Sequence, residues 1–518
     1  MPNRERAVRE YSAGGTVRAR RASWWRGLGA WLLLLAVLGT PAAGAAAPPI
    51  RFGIASSPVT LDPRFATDAT SSRISRLLHE PLVEFDAGFR PRPALARWEA
   101  LGPLRWRFFL RPDRRPFAAL DRAVVADDVR ATYASVLAAE TGSPHRGSLA
   151  VVAAVEVVDE STVDFVLHRA DPSFPGLLTV GVMPREDLAP GARPGRAPRG
   201  SGPFEVVDWP DDNRLVLRRR SDGQLLEFVR VREPTVRVLK LLRGEIDLLQ
   251  GDVPHELIGW AEQRGGVRVE RAAGTTVAYL GFNLEDPVVG DIRVRRAIAH
   301  AIDRDAIVRH VLGGAARPAE SLLQPTHWAG APGLAPITFD PDRARALLAE
   351  AGHGPDDPVR VEYKTSSDPA RLRLATIIAH QLAAVGIEVR IRSYDWGTFY
   401  GDIRAGRFQL FSLAWVGIKM PDIFRYTVHS ASVPPRGANR GRFVDPVVDD
   451  LVERAEATVG ETERAAHYRA LQHRLRETLP FVPLWYEDQV LLARASVHGY
   501  RVAPDGGYLG LESVARSP

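Results

Sequence analysis

The chain has 518 residues, of which 45% are apolar and 25% charged, and it contains no cysteine. This composition is typical of a globular protein with two or three domains. The missing cysteines exclude disulfides, thiolate metal sites, cysteine nucleophiles and a lipid-anchoring lipobox cysteine. Seven arginines and two glutamates among the first thirty residues supply most of the +6 net charge. The remainder is nearly neutral, which argues against nucleic-acid binding.

Residues 1–47 predict a cleaved export signal. An arginine-rich start precedes the apolar run Trp31–Leu38 and a series of small residues, with cleavage expected within Ala43–Ala47. The apolar run is far shorter than the roughly 20 residues that cross a membrane, so a soluble periplasmic protein is expected. The alternatives are an uncleaved anchor and, because of Arg20-Arg21, export by the twin-arginine route.

Alternating strands and helices are predicted from residue 50 to the C-terminus. Apolar residues alternate in the strands and recur every three to four residues in the helices. Several helices are predicted to begin at an aspartate (Asp291, Asp303 and Asp340) and to end at a glycine. This order predicts a mostly parallel sheet covered by helices on both faces. The predicted strands include Arg51–Ala55, Val155–Val158, Val163–Leu167, Ile246–Leu249, Ile387–Ile391 and Phe408–Val416, and the predicted helices include Ser71–His79, Pro234–Gly244, Asp291–Asp303 and Glu461–Glu477.

Residues 279–312, YLGFNLEDPVVGDIRVRRAIAHAIDRDAIVRHVL, closely resemble the signature of family 5 extracellular solute-binding proteins. These are the peptide- and nickel-type binding proteins of ABC importers. Residues 60–86, 200–204 (GSGPF) and 437–451 (GANRGRFVDPVVDDL) resemble further family blocks in the same order. One departure lies at Phe117–Arg122, where the family usually has a Phe-x-Asp-Gly turn and this chain has no glycine.

The resemblance implies an α/β fold of the two-lobed periplasmic binding protein kind, type II and cluster C-like, with an extra N-terminal subdomain. Its partners would be a peptide or small solute and the permease subunits of an ABC importer in the inner membrane. The protein itself would be a monomer without cofactor or metal. The predicted domains are domain I (48–80, 190–278 and 485–518), domain II (the insertion 81–189) and domain III (the opposing lobe, 279–484).

Aromatic side chains and one unusual loop indicate where the ligand cleft lies. The resemblance places tryptophans matching Trp396 and Trp415 against ligand side chains, and Tyr394 joins them as an aromatic candidate. Peptide-binding members resemble G-W-x-x-D-x-x-[DE]-P after the second tryptophan, and that aspartate pairs with the ligand's α-ammonium group. Here Ile418 occupies the matching position and Lys419 follows it.

This loop leaves two interpretations open. Either Asp422 takes the missing role, or the ligand has no free amine at this point, because an apolar residue cannot stabilise a buried ammonium ion. Lys419 beside Ile418 favours a ligand with an anionic or neutral group there. Core packing of the tryptophans and a solvent-facing loop are the alternatives without function.

Other candidates come from neighbouring blocks and from the expected crossings between lobes. A lone histidine is more often structural than a ligand contact, so His327 is proposed only as one member of a pair. The further ligand-contact candidates are Thr67, Asp68, His327 and Trp328, and the candidate hinge residues are Tyr279, Asn283 and Pro483.

The sequence does not predict an enzyme. It has no H-E-x-x-H, P-loop, G-x-S-x-G or Rossmann glycine motif. Asp127-Asp128 and Asp449-Asp450 are adjacent pairs, which do not face each other on a helix and suit capping rather than catalysis. A non-peptide solute, such as a nickel chelate or another small organic ligand, is the alternative among binding proteins, and a periplasmic hydrolase is the remote one.

Overall fold

The computed structural model describes residues 48–188 and 196–517, and the predicted export signal lies outside them. Within the described part, no helix combines the length and the apolar character needed to cross a bilayer. Strands dominate up to residue 282: β1 (Ile50–Ile54), β2 (Val83–Phe85), β3 (Pro91–Pro93), β4 (Ala96–Gly102), β5 (Arg105–Leu110), β6 (Val152–Asp159), β7 (Thr162–Leu167), β8 (Phe204–Asp211), β9 (Arg214–Arg219), β10 (Leu225–Arg230), β11 (Leu248–Gln250) and β12 (Val267–Phe282). The helices of this part are α1 (Ala69–Leu78), α2 (Ala126–Leu137), α3 (Pro234–Arg243) and α4 (His255–Arg264).

Helices dominate after residue 282. Several begin as the sequence predicts: Asp291, Asp303 and Asp340 each accept a hydrogen bond from a backbone N–H of the first turn. The helices are α5 (Ile292–Ala301), α6 (Arg304–His310), α7 (Pro341–Glu350), α8 (Pro369–Ala383), α9 (Trp396–Ala405), α10 (Ile423–Val428), α11 (Pro446–Ala457) and α12 (Glu461–Thr478). The strands are β13 (Ala316–Pro318), β14 (Val359–Ser366), β15 (Ile387–Tyr394), β16 (Leu410–Trp415), β17 (Phe481–Arg494), β18 (Val497–His498) and β19 (Ala515–Arg516).

One large sheet has the strand order β15-β14-β16-β12-β17-β11-β1-β10-β9-β8, with β13 paired to β17. It is mixed: β14 is parallel to β15 and β16, and β1 is parallel to β10 and β11. The ladders that involve β12 and β17 are antiparallel. The expectation of a mostly parallel sheet is therefore wrong, because two long antiparallel strands join two smaller parallel groups.

The buried apolar residues of the described part form several separate hydrophobic cores, and the division into three domains stays a prediction. Strands β4-β5-β7-β6 form their own antiparallel sheet, which packs with α2 around a core confined to residues 82–182. A second core combines residues from both ends of the chain, and a third surrounds the central helices. Representative core residues are Phe108 and Phe165 in the first, Phe52 and Leu491 in the second, and Ile298 and Tyr363 in the third.

Strands β12 and β17 cross between the lobes. Their register is interrupted between Ala272 and Thr276 and again between Ala278 and Tyr279. Val269 packs with the domain I side and Val277 with the domain III side, so the first interruption lies where the cores change. The change of core thus falls a few residues before the predicted domain boundary, which stays a prediction.

The candidate hinge residues lie at the domain III end of this crossing. Tyr279 is paired with Pro483 across the two strands, beside the second register interruption. The Asn283 side chain donates to the carbonyls of Gly406 and Phe408, at 3.2 and 3.1 Å. Their role in lobe movement stays a prediction.

The turn at Phe117–Arg122 forms without the glycine typical of the family. A hydrogen bond of 3.0 Å from Phe117 N to Arg122 O closes it. Ala119 supplies the required conformation with φ +57°, in the left-handed region. A non-glycine residue there costs about 1–2 kcal/mol, so this turn carries a local backbone cost.

Candidate functional site

A cavity of about 370 Å³ lies between the lobes. One wall comes from α1 and the loop before it, a second from residues 145–181, and the third from residues 415–423 after β16. A concave site between two lobes is the usual place for a small ligand. Four of the predicted contact residues line it: Trp415, Ile418, Lys419 and Asp422.

Trp415 provides a flat, half-buried wall of the cavity. It is the last residue of β16, and pairing with β12 places it opposite Val277. Its indole ring stacks on the Tyr279 ring, with 5.9 Å between centroids and 6° between planes. The Arg440 guanidinium also lies on the indole ring, 4.5 Å from its centroid. A side chain held this way adds contact area with little rotamer entropy left to lose.

Ile418 belongs to the core as much as to the cavity. Only 9% of its surface is exposed, and it packs in a cluster with Val277 and Phe424. Its N–H donates to the Thr275 carbonyl at 3.3 Å, which fixes the loop against the crossing strand. It offers no acceptor for an ammonium group, as the sequence predicted.

Lys419 forms an ion pair inside the cavity wall. Its Nζ lies 2.5 Å from Asp505 Oδ2, and Arg76 Nη1 contacts the same oxygen at 3.1 Å. Burial alone would raise the pKa of Asp505, but the two cations outweigh it and hold that pKa well below its ordinary value. Burial and the Arg76 charge lower the pKa of Lys419. The lysine charge is thus compensated by the protein, and the expected preference for an anionic ligand gains no support.

Asp422 presents a carboxylate to the cavity. Within residues 48–188 and 196–517 no side chain forms a salt bridge with it. It occupies the N-cap position of α10, but its side chain makes no capping hydrogen bond there. Its surface is exposed to the cavity, yet protein atoms surround it on the other sides. Partial desolvation by these surrounding atoms, with the charges of Asp171 and Glu456, raises the pKa of Asp422 to about 7. A cationic group in the cavity would favour its ionised form.

The wall opposite Asp422 is polar but mostly neutral. Burial lowers the pKa of His79 to about 4 and also lowers that of His145, so both rings are neutral at pH 7. Ser72, Arg76 and His79 follow one face of α1 at i, i+4 and i+7. These three residues were not predicted from the sequence, although polar side chains recur at this spacing beside the apolar face of α1.

Contacts also join predicted domains II and III beyond the cavity. Arg90 pairs with Glu461 at 3.1 Å, and Arg169 with Glu456 at 3.2 Å. The ring of Phe89 stacks on His327 with 5.7 Å between centroids. These contacts hold the two sides of the cleft together.

Two aromatic candidates lie away from the cavity. Trp396 is the first residue of α9, is 58% exposed, and stacks on Tyr400 at 5.4 Å. Tyr394 ends β15, and its ring faces Lys364 at 5.5 Å. Neither lines the cavity described above, so contact with a ligand stays a prediction for both.

The remaining candidates make local contacts. Asp68 caps α1 by accepting from Ser71 N at 2.9 Å, and the preceding Thr67 is exposed. His327 accepts from Ala329 N at 3.0 Å, and its other ring nitrogen lies 3.1 Å from the Lys419 carbonyl. His327 therefore supports the cavity loop from behind.

Trp328 also lies outside the cavity lining. Its ring packs edge-on against the Tyr468 ring, with 6.2 Å between centroids, and the Arg464 guanidinium lies 4.9 Å from the centroid of the Trp328 ring.

Metal ligation was not predicted from the sequence. Among the described residues, no group of three His, Asp or Glu side chains is placed to hold a metal ion.

A mixed sheet shared by two lobes, with a cavity between them, defines the protein as a two-lobed binding protein. Residues 89–433 match bacterial extracellular solute-binding proteins, family 5 Middle, and the chain belongs to this family. It is 27% identical over 508 residues to the dipeptide-binding protein of Escherichia coli K12, covering 90% of this chain and 94% of the relative.

Solved structures show the same fold. One is the ABC transporter-associated periplasmic binding protein DppA from Helicobacter pylori with the peptide STSA, at TM-score 0.78 and 23% identity, covering 90% of this chain and 98% of that chain. Another is NikZ from Campylobacter jejuni with Ni(L-His), at TM-score 0.78 and 22% identity, covering 90% of this chain and 99% of that chain. At these identities the likeness concerns the fold alone.

Proposed function

We propose that the protein is the periplasmic substrate-binding component of an ABC importer, and that it carries a peptide or peptide-like solute in the cleft between its lobes to the membrane permease. Family membership and the names of its relatives support this assignment. We further propose that the protein is not an enzyme and that residues 1–47 are removed on export. Intact-mass measurement of the exported protein tests the second point, because a mass that includes Met1–Trp31 would contradict cleavage.

Asp422 is the observation that carries the peptide assignment. A carboxylate that faces a cleft without a protein cation gains most from a ligand cation, since charge-assisted hydrogen bonds are the strong ones in a partly dehydrated site. Trp415 supplies an apolar wall that accepts differently shaped side chains. In this proposal Asp422 binds the α-ammonium group, because Ile418 lies in the core at the position that matches, by resemblance, the aspartate of peptide-binding members.

The first experiment identifies the ligand directly. Native mass spectrometry of the protein as purified should show a co-bound peptide of unchanged mass after prolonged incubation. A nickel chelate or another non-peptide solute would instead support the alternative ligand class. Turnover of the bound ligand would contradict a purely binding role.

Calorimetry then tests the role of Asp422. Free dipeptides should bind at least tenfold more tightly than their N-acetylated forms, and Asp422→Asn should remove that difference. Asp450→Asn is the matched control, because this carboxylate lies on α11 and pairs with Arg454. Equal binding of free and N-acetylated peptides to the unmodified protein would sink the assignment of Asp422.

A further inference from the structure

A second, smaller cavity lies on domain III and shares Trp415 with the cleft. Its volume is about 30 Å³, and its lining includes Tyr279, Thr427, Asn439 and Arg440. A volume of about 10–15 Å³ holds one water molecule, so this recess has room for two small oxygen-sized atoms. Its chemistry is set by the arginine.

Arg440 is a buried cation with few acceptors. It is 8% exposed, and it donates from Nη1 to Tyr279 OH at 2.6 Å and from Nη2 to Tyr400 OH at 3.4 Å. Across the described ranges 48–188 and 196–517, no carboxylate comes within salt-bridge distance of it. Removing a guanidinium from water is unfavourable unless its donors are satisfied.

Other buried arginines in this protein are compensated differently. Arg304 pairs with Glu320, and Arg219 pairs with Asp222. Arg295 donates to four backbone carbonyls. Against this background Arg440, with two phenol oxygens and the faces of aromatic rings, lacks a strong acceptor.

The groups around Arg440 add donors instead of acceptors. A tyrosine hydroxyl that accepts from the guanidinium still has its own hydrogen to donate. Burial raises the pKa of Tyr279 despite the nearby Arg440 charge, so this hydroxyl stays protonated at neutral pH. The Asn439 amide nitrogen and oxygen are already used by the backbone of His429 and Phe443. Among the residues that the structure describes, those lining the recess thus supply hydrogen-bond donors and no anionic group.

We propose that Arg440, with the hydroxyls of Tyr279 and Tyr400, forms a carboxylate-binding subsite beside Trp415. A carboxylate fits because its two oxygens match the volume of the recess and can accept parallel hydrogen bonds from a guanidinium. The carboxylate is the terminal one of the transported solute, or a free small carboxylate ion. Binding of the solute's terminal carboxylate rests on the proposed function, whereas binding of a free carboxylate ion does not.

Binding of paired ligands tests the subsite. A dipeptide with a free C-terminal carboxylate should bind at least tenfold more tightly than the same dipeptide as an amide, and Arg440→Met should abolish this preference. Arg436→Met, an exposed arginine on the same segment, should leave the preference unchanged. A preference below twofold in the unmodified protein, or one that survives in folded Arg440→Met, overturns the proposal.

A second arm works without any peptide. If no peptide binds, the proposed function fails, and formate is compared with formamide in thermal unfolding. Formate should stabilise the unmodified protein more than Arg440→Met, and equal stabilisation overturns the subsite. If Arg440→Met does not fold, Arg440→Lys and Tyr400→Phe replace it: each should weaken carboxylate binding several-fold, and unchanged binding in both overturns the proposal.

Discussion

Lys419 joins the loop after β16 to Asp505 in the C-terminal segment of the other lobe, with Nζ and Oδ2 2.5 Å apart. Arg76 on α1 shares the same oxygen, and Asp505 Oδ1 accepts from Gly507 N at 2.9 Å. The carboxylate is therefore held on the domain I side, and the lysine reaches it from domain III. This pair thus links the loop after β16 to the C-terminal segment.

Replacing Lys419 by methionine should weaken this link between the predicted lobes. Breaking a fully buried pair costs about 3–5 kcal/mol, but Arg76 still compensates Asp505, so a loss of about 1–2 kcal/mol in the free energy of unfolding is expected. Small-angle scattering of the unliganded variant should give a larger radius of gyration. Lys240→Met is the matched control, because its pair with Glu245 is on the surface and such pairs contribute about 0–1 kcal/mol. Indistinguishable results for both variants would contradict the role of Lys419.

Asp422 should make ligand affinity depend on pH. Its pKa of about 7 means that the carboxyl ionises only as the pH rises toward neutrality. Binding of a free-amine peptide should therefore strengthen from pH 5 to pH 8 and release a proton near pH 6.5. Calorimetry in buffers of different ionisation enthalpy measures this proton, and Asp450→Asn should behave like the unmodified protein. No proton release would show that Asp422 is not the amine contact.

The raised pKa of Asp422 should also affect the free energy of unfolding of the unliganded protein. A carboxyl whose pKa is raised in the folded state holds its proton there while the unfolded chain has lost it. Between about pH 4 and pH 7 the Asp422 contribution therefore makes the protein less stable as the pH rises. Urea unfolding of Asp422→Asn should lack this component, and a variant with the same pH slope as the unmodified protein would contradict it.

His79 should act in the opposite direction. Its ring is 1% exposed, and burial lowers its pKa from 6.5 to about 4. The unfolded state binds the proton first, so stability should fall as the pH drops from 6.5 to 4, by about 3 kcal/mol in total. His79→Gln should flatten this limb of the urea-derived profile, whereas His498→Gln, at an exposed site, should not. A slope that persists in His79→Gln would assign the acid sensitivity to another group.

Local sequence patterns predicted local structure well. The helix starts at Asp291, Asp303 and Asp340 are confirmed, because a capping aspartate acts within its own first turn. The order of strands and helices in the second half is also confirmed, because it too was predicted from patterns local to each element. The direction of strand pairing was not predicted correctly, since it depends on β12 meeting β17, which is distant in the chain.

In the candidate site, too, local features were predicted and contacts between distant parts of the chain were not. Trp415, Ile418, Lys419 and Asp422 all line the cleft, as expected of one continuous loop. The partner of Lys419 was missed, because no local pattern connects residue 419 with Asp505. Trp396 was chosen by residue type, and the side on which α9 presents it depends on tertiary packing.

Ala119 offers a stability test that is independent of the ligand. Its φ of +57° is unfavourable for alanine and ordinary for glycine. Ala119→Gly removes a cost of about 1–2 kcal/mol and adds about 0.5–1 kcal/mol of unfolded-state entropy. The free energy of unfolding should therefore rise by roughly 0.5–1 kcal/mol, seen as a higher urea midpoint at constant m-value. Ala118→Gly is the matched control: Ala118 is buried and has no positive φ, so the same change should lower stability. Destabilisation by both substitutions would mean that the left-handed turn at Ala119 does not form in solution.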